Sequence, residues 1–285
     1  MKSDHYSVGR AKTLDISIQG APNFRRPRGI ESIGVYGTAQ PTIAGLRTLL
    51  TLLGASPLVS PLASPDGLNN QPNTGFKNAT SSGKARCVFV STRDEPIVYI
   101  SGRSYVLRHA TNPKRGIQLS YRAESLEGIE ERLKNDVLNE SRKYGGLIMT
   151  HEEDTEGEII PTWVAVDSTN VLTPRELWHS IKNEGFNLDY HRIPISPDTP
   201  IEDSYLDAYV RVMKDSDPRE TNIIFSCGMG VIRTTYAMVA ALLVRRKQFL
   251  LLGERDPMEG ADIDSHLTVS ILLKMTIKIL ILKLI

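Results

Sequence analysis

The chain of 285 residues lacks several features that define common functional classes. It has 2 cysteines, each in an apolar stretch, so it has no disulfide framework and fits a reducing compartment. Its 6 histidines are scattered without an HxxxH or Cys-His grouping, so we expect no metal site. Its formal net charge of +1 gives no overall basic field for nucleic acid. Any preference for anions must therefore be local.

The N-terminal sequence also lacks the apolar core of a secretory signal, so we expect a cytoplasmic protein. We predict a flexible N-terminus over residues 1–22 and one domain over residues 23–250. Ser, Pro, Asn and Gly dominate residues 55–85, which we interpret as a disordered insertion. Residues 251–285 are predicted to be an apolar extension.

The end of this extension is nearly all apolar, but it is interspersed with Lys274, Lys278 and Lys283. These lysines make a lipid span costly. Three interpretations stay open: an amphipathic helix packed on the domain, a segment on a membrane surface, and the spurious end of a truncated chain.

The stretch Ile223–Val244 is the one around which the chain is organised. Its apolar, β-branched start predicts a buried strand, and a loop with Gly228 and Gly230 follows. Apolar residues at helical spacing then predict a helix that ends near a cluster of cations. Strand, loop and helix thus enclose Cys227 and Arg233.

This arrangement suits phosphoryl transfer. Loop amides backed by a helix N-terminus form an anion site and favour the thiolate form of Cys227. Arg233 can bind two oxygens of a phosphate, and Thr234 can donate a hydrogen bond to the sulfur. The predicted reaction proceeds through a cysteinyl-phosphate intermediate. The candidate substrate-binding residues are those of the loop: Gly228, Met229, Gly230, Val231 and Ile232.

The spacing of cysteine and arginine alone is weak evidence, because Cys87 and Arg93 have the same separation. The residues between them contain no glycine and have strand character, so we predict that Cys87 packs in a core strand. For Cys227 the alternative is a buried, inert thiol.

Asp198 is the candidate general acid. It lies in a loop between the predicted strand Asn187–Ile195 and a helix, a place from which a carboxyl group can protonate a leaving group. A simple turn or cap aspartate is the alternative, and Asp203 and Asp207 are rival acids.

Two charged clusters have open interpretations. The first, Asn23–Gly29, holds three arginines beside a proline, and it is either a solvated loop or a basic rim for a polyanionic substrate. The second, Arg93-Asp94-Glu95, is either a turn with satisfied charges or a group that positions substrate or loop.

Alternating strands and capped helices, with the reactive loop at a strand's carboxyl end, predict an α/β domain. We expect a mainly parallel sheet with helices on both faces. The predicted elements include a strand at Cys87–Ser91, a hairpin around Ser101-Gly102 and a helix with a capping box from Thr173 to Glu176.

The chain resembles the family of paladin and the protein-tyrosine-phosphatase-like phytases, the inositol hexakisphosphate phosphatase-like branch of cysteine phosphatases. The matching pieces follow one another in order over most of residues 23–248. They are YGTAQPT at Tyr36–Thr42, RDEPIVYISGRSYVLR at Arg93–Arg108, LTPRELW at Leu172–Trp178, YHRIPISPD at Tyr190–Asp198 and FSCGMGVIRTT at Phe225–Thr235.

The resemblance implies a phosphatase fold, Cys227 as nucleophile, Arg233 as phosphate clamp and a general acid on the loop after RIPI. The chain departs from the family at Ile232, where glycine is usual, and at Asp198, which lies one position later than in many relatives. If that loop position needs a positive φ, Ile232 is strained there.

The predicted function is a cofactor-independent phosphomonoester hydrolase. Its partner would be a phosphorylated small molecule, such as an inositol polyphosphate, or a phosphoprotein. One alternative is a pseudophosphatase that binds phosphate without turnover. Another is a scaffold that recruits partners through its insertion and its apolar end.

Overall fold

The structure of the protein is a computed structural model that describes residues 1–4, 17–27, 30–57, 85–109, 111–117, 122–154, 156–196 and 203–259. The strands are β1 (Lys2–Ser3), β2 (Val35–Thr38), β3 (Arg86–Ser91), β4 (Ile97–Ile100), β5 (Arg103–Val106), β6 (Arg108–His109), β7 (Asn112–Gly116), β8 (Leu147–Glu153), β9 (Ile159–Ala165), β10 (Val171–Leu172), β11 (Leu188–Arg192) and β12 (Thr221–Ser226). The helices are α1 (Ile43–Leu52), α2 (Ala123–Arg142), α3 (Pro174–Asn183), α4 (Asp203–Lys214) and α5 (Ile232–Leu251), with a 3-10 helix at Glu31–Ile33.

A parallel sheet of four strands, in the order β11-β3-β12-β2, forms the centre of the domain. Strands buried on both faces have apolar runs, and the central β3 and β12 contain such runs, CVFV and IIF. Ser91 pairs in register with Ser226 and with Arg192, so β3, β12 and β11 end together. The carboxyl ends of the strands therefore share one edge.

Helices cover both faces of this sheet. Side chains of α4 and α5 pack on one face in a core with Val88, Val90 and Phe225. On the other face, α1, α3 and the β4–β5 hairpin pack around Phe89 and Ile224. The α/β fold with a parallel sheet is thus as predicted.

A second sheet of six strands lies beside the first, and the sequence did not predict it as a unit. Its order is β10-β4-β5-β1-β8-β9, and all its pairs are antiparallel except β1 with β8. Val137 of α2 packs on this sheet against Val98, Ile100 and Tyr105. The description as mainly parallel therefore holds for the four-stranded sheet alone.

The described parts of the N-terminus that the sequence predicts to be flexible, residues 1–4 and 17–22, contain paired and buried residues. Lys2 and Ser3 pair with β5, and Asp4 is only 3% exposed. Ile18 and Ala21 are also buried. Pairing of β1 between β5 and β8 and the contact of Asp4 with Arg93 hold residues 2–4, although they carry no apolar pattern of their own.

The other predicted boundaries fall mostly outside the described residues. Residues 58–84 of the predicted insertion are among those not described, whereas Ala55 is fully buried, so the domain continues past the predicted start of the insertion. Residues 260–285 are likewise outside the description. Across the described ranges, no helix is both long and apolar enough to cross a membrane.

Candidate active site

The loop Cys227–Val231 lies at the carboxyl edge of the parallel sheet, between β12 and α5. Helix α5 begins directly after the loop, and its N-cap residue, Val231, makes no side-chain capping hydrogen bond. The first amides of a helix have no intrahelical carbonyl with which to pair. An uncapped helix N-terminus at this edge is suited to hold an anion.

Cys227 is the first residue of this loop and is 3% exposed. Its Sγ accepts hydrogen bonds from the backbone N of Gly230 at 3.2 Å and from Thr234 Oγ1 at 3.1 Å. Two donors that converge on one sulfur stabilise negative charge there, as a nucleophilic thiol requires. The structure thus brings Cys227 and Thr234 together, while their catalytic roles stay predictions.

Cys87 has a different environment. It is fully buried in β3, among Tyr36, Phe89 and Ile224. Burial raises the pKa of its thiol to about 12, against a weaker opposing hydrogen bond with Asn222. The residue is an uncharged core side chain, as its strand context predicts.

The side chain of Arg233 points to the residues that follow β3. Its Nη1 donates to Asp94 Oδ1 at 2.5 Å and to the carbonyl of Ile195 at 3.3 Å, and its Nη2 donates to Glu95 Oε2 at 3.3 Å. Burial opposes the positive charge, but Glu95, Cys227 and Asp94 together raise the pKa of Arg233. The guanidinium is therefore fixed and charged in this structure.

Arg93-Asp94-Glu95 is part of a buried ion network beside the loop. Arg93 Nη1 lies 2.5 Å from Asp4 Oδ2, and Arg93 Nη2 lies 3.2 Å from Glu95 Oε2. Burial raises the pKa of Glu95, but Arg93, Arg233 and Arg108 outweigh it and lower the pKa to about 2. Of the two interpretations of this cluster, the contact with Arg233 favours a positioning role.

Arg192, at the end of β11, holds the backbone of this cluster. Its Nε donates to the carbonyl of Arg93 at 3.3 Å and its Nη2 to that of Glu95 at 3.0 Å. Its Nη1 lies 2.7 Å from Oε1 of Glu130, a buried residue of α2. Three elements of the fold thus fix the position of the carboxylates that meet Arg233.

Sequence reasoning missed Asp4 and the contacts of Arg25. Arg25, within the predicted basic rim, donates from Nη1 to the carbonyl of Gly230 and from Nη2 to Thr235 Oγ1. It is therefore attached to the outside of the reactive loop and is not a solvated side chain. The three arginines beside a proline were a signal for Arg25, but nothing in the sequence marks Asp4.

The structure corrects the hypothesis that Ile232 is strained. Ile232 is the first residue of α5, it is 82% exposed, and it is not among the residues with positive φ. The loop residue with positive φ is Gly230, at 69°. The turn is made two positions earlier than the family pattern suggested. Two other proposed binding residues, Met229 and Val231, are about half-exposed.

The candidate acid Asp198 lies outside the described residues, so its geometry stays a prediction. The described residues before it reach the site, because the carbonyl of Ile195 accepts a hydrogen bond from Arg233. Of the two rivals, Asp203 begins α4 and Asp207 is exposed on the same helix.

Within the described ranges, no group of three or more histidine, cysteine, aspartate or glutamate side chains could hold a metal ion.

Comparison with known proteins places the chain in a family. The family model of PTP-like phytases, described as "Inositol hexakisphosphate", matches residues 90–245. Paladin of Mus musculus is 25% identical over 241 residues, which are 79% of this chain and 25% of that protein. Paladin of Gallus gallus is 27% identical over 224 residues, which are 78% of this chain and 21% of that protein. The chain thus spans about a quarter of the length of the curated relatives it matches.

Solved structures agree on the fold. The tandemly repeated protein tyrosine phosphatase like phytase from Mitsuokella multacida is 16% identical with a TM-score of 0.53, covering 98% of this chain and 43% of that one. A PTP-like myo-inositol phosphatase from the same organism, in complex with myo-inositol-(1,3,4,5)-tetrakisphosphate, is 17% identical with a TM-score of 0.53 and the same coverage. At this identity, the likeness is one of fold alone.

Proposed function

Since the chain belongs to the family of PTP-like phytases, we propose that it is a phosphomonoester hydrolase that acts through Cys227. The observation that carries the proposal is the pair of donors on Cys227 Sγ at the uncapped N-terminus of α5. Inositol polyphosphates or phosphoproteins are the proposed substrates, with no cofactor. The inositol phosphate bound to the related M. multacida enzyme supports the first class.

The proposed reaction has two steps. The thiolate of Cys227 attacks phosphorus, and the leaving oxygen takes a proton from the acid, for which Asp198 is the candidate. Water then attacks the cysteinyl phosphate while the acid, now a carboxylate, takes a proton from it. The sulfur leaves as a thiolate, and the Gly230 amide and the Thr234 hydroxyl stabilise it.

Arg233 retains donors for phosphate. A guanidinium has five N–H groups, two on each Nη and one on Nε. Nη1 has two acceptors, Asp94 and the carbonyl of Ile195, and Nη2 has one, Glu95. Among the described residues, the Nε–H and one Nη2–H of Arg233 have no acceptor, and we propose that they form the edge that faces phosphate. Together they match two phosphate oxygens.

The test is release of phosphate by the purified protein from inositol hexakisphosphate and from a phosphotyrosine peptide. We expect Cys227→Ser to abolish turnover and keep phosphate binding, because a hydroxyl is a poor nucleophile at neutral pH. Cys87→Ser is the matched control and should alter stability alone. Loss of activity with a folded Cys87→Ser protein, but not with Cys227→Ser, would refute the assignment of the nucleophile.

A pseudophosphatase is the second candidate, and one observation favours it. Asp94 and Glu95 both contact Arg233, so a phosphate must bind next to two carboxylates and share the guanidinium with them. The negative charges of these two carboxylates repel the phosphate dianion and therefore oppose its binding. Binding of inorganic vanadate without turnover of either substrate would support this candidate.

A further inference from the structure

The outer side of the reactive loop is held by residues from the N-terminal part of the chain. Asn23 Nδ2 donates to the carbonyl of Met229 at 2.7 Å, and Arg25 Nη1 donates to that of Gly230 at 2.6 Å. The backbone N of Gln40 donates to the carbonyl of Gly228 at 3.2 Å. Three consecutive loop carbonyls thus each accept a hydrogen bond from these residues. We call Asn23, Arg25 and Gln40 the collar.

The collar determines where the loop amides point. In a planar trans peptide, the C=O and N–H groups point in opposite directions. A carbonyl held on the outer side therefore turns the following N–H to the inner side. The peptide between Met229 and Gly230 shows both ends of this relation, because its carbonyl meets Asn23 while its N–H meets Cys227 Sγ at 3.2 Å. By the same geometry, the collar turns the Met229 and Val231 amides inward.

Asn23 and Arg25 of the collar contact one another, Arg25 also contacts the first turn of α5, and Asn23 has a backbone conformation that costs free energy. Asn23 has a φ of 55°, in the left-handed region that only glycine enters without penalty. Its own carbonyl accepts from Arg25 Nη1 at 3.1 Å, and Arg25 Nη2 reaches Thr235 Oγ1 in the first turn of α5 at 2.9 Å. The backbones of Arg25 and Gly37 also pair as an isolated β-bridge. Residues that keep such a conformation are held by their surroundings.

We infer that Arg25 and Asn23 are positioning residues that keep the loop amides aimed at the anion. Neither donates a hydrogen bond to Cys227 Sγ, whose donors are Gly230 and Thr234. Each acts through a carbonyl of the loop, so the predicted result of losing either contact is a rotated peptide whose N–H no longer faces the phosphate. Preorganised donors of this kind supply much of the stabilisation of a transferring phosphoryl group.

The inference rests on the proposed anion site but not on turnover, so its test measures binding and thiol chemistry. The variants are Arg25→Met and Arg25→Lys, with Arg47→Met as the matched control, since Arg47 makes a surface contact with Glu184. We expect Arg25→Met to weaken binding of inorganic vanadate by roughly 10- to 100-fold, because an oxyanion donor is displaced. Arg25→Lys should bind vanadate more tightly than Arg25→Met but less tightly than the unaltered protein, since one ammonium reaches one carbonyl.

A second readout does not need binding of vanadate. Inward amides favour alkylation of Cys227 by iodoacetate, which is anionic, over neutral iodoacetamide. The ratio of the two rates should fall in Arg25→Met and stay unchanged in Arg47→Met. If Arg25→Met fails to fold, Asn23→Gly replaces it, since glycine keeps the positive φ and lacks the donor.

The outcomes are distinct. A folded Arg25→Met protein with unchanged vanadate affinity and an unchanged ratio would overturn the inference. If the unaltered protein binds no vanadate, the proposed function fails, and the alkylation ratio alone decides on the collar. A fall in thermal stability without a change in the ratio would show a structural role only, which also contradicts the inference.

Discussion

Adding one methyl group at Gly230 tests the geometry of the reactive loop more directly than any change at Cys227. The Cβ of Gly230→Ala would lie 2.4 Å from the backbone N of Ala39 and 2.6 Å from the carbonyl carbon of Thr38. Ordinary contacts of a Cβ begin at 3.4 Å. Both neighbours are backbone atoms where β2 ends, so no side-chain rotation relieves the clash. The loop must move away from β2 by about 1 Å.

The expected loss follows from this displacement. A φ of 69° costs a residue with a Cβ about 1–2 kcal/mol before any contact is counted. A shift of about 1 Å in a catalytic constellation costs about 10²-fold in rate. We therefore expect Gly230→Ala to lower kcat/KM at least about 100-fold, because the Gly230 amide leaves Cys227 Sγ.

The assay is hydrolysis of an activated aryl phosphate, with the thermal midpoint measured in parallel. Gly228→Ala is the matched comparison in the same loop, since its Cβ would meet Arg93 Cζ at 3.6 Å, an ordinary contact. It should lose far less activity than Gly230→Ala. Ile232→Gly should not raise turnover, because Ile232 already has helical backbone. Equal losses in the Gly228 and Gly230 variants, or a faster Ile232→Gly enzyme, would refute the reasoning.

Two further predictions concern carboxyl groups. Asp198→Asn should lower the rate by roughly 10²–10⁴-fold for substrates with poor leaving groups and less for activated aryl phosphates; equal losses would indicate a structural role. Glu95 has a pKa of about 2 in the folded protein, below its usual 4.5, so it contributes stability above pH 4.5 that is lost as the pH falls towards 2. Between pH 4.5 and 2, the free energy of unfolding measured with denaturant should fall by about 3 kcal/mol more in the unaltered protein than in Glu95→Gln. Equal falls in the two proteins would show that Glu95 is not the source of this pH dependence.

Local patterns in the sequence were sufficient for the parts of the fold that depend on neighbours in the chain. The apolar run before Cys227 forms β12, and the apolar residues after the loop form α5. Thr173 and Glu176 form the predicted capping box at the start of α3. The different fates of Cys87 and Cys227 also follow from local context, since a strand interior and a strand-to-helix loop differ in glycine content. These features need no knowledge of distant contacts.

The parts that the sequence could not predict depend on contacts between distant segments. Asp4 meets Arg93 across 89 positions, and Arg25 meets Gly230 across 205. Strand β1 has two residues and no apolar alternation, so only its partners reveal it. The six-stranded sheet was missed for the same reason. Ile232 shows the converse error, because a family pattern was taken to locate a backbone conformation that Gly230 provides.

The charges beside the loop bear on the choice between a hydrolase and a phosphate-binding module. Three arginines there are paired with three carboxylates at N–O distances of 2.5 to 3.8 Å, so the network adds little net positive charge. The arginines are Arg93, Arg108 and Arg233, and the acids are Asp4, Asp94 and Glu95. Attraction for a phosphate dianion must then come from the loop amides, from the N-terminus of α5 and from Arg25, whose charge interacts favourably with Cys227. The orientation of the amides depends on Gly230 and the collar, so we expect turnover of bound phosphate to depend on the backbone geometry of the loop as well as on the nearby cations.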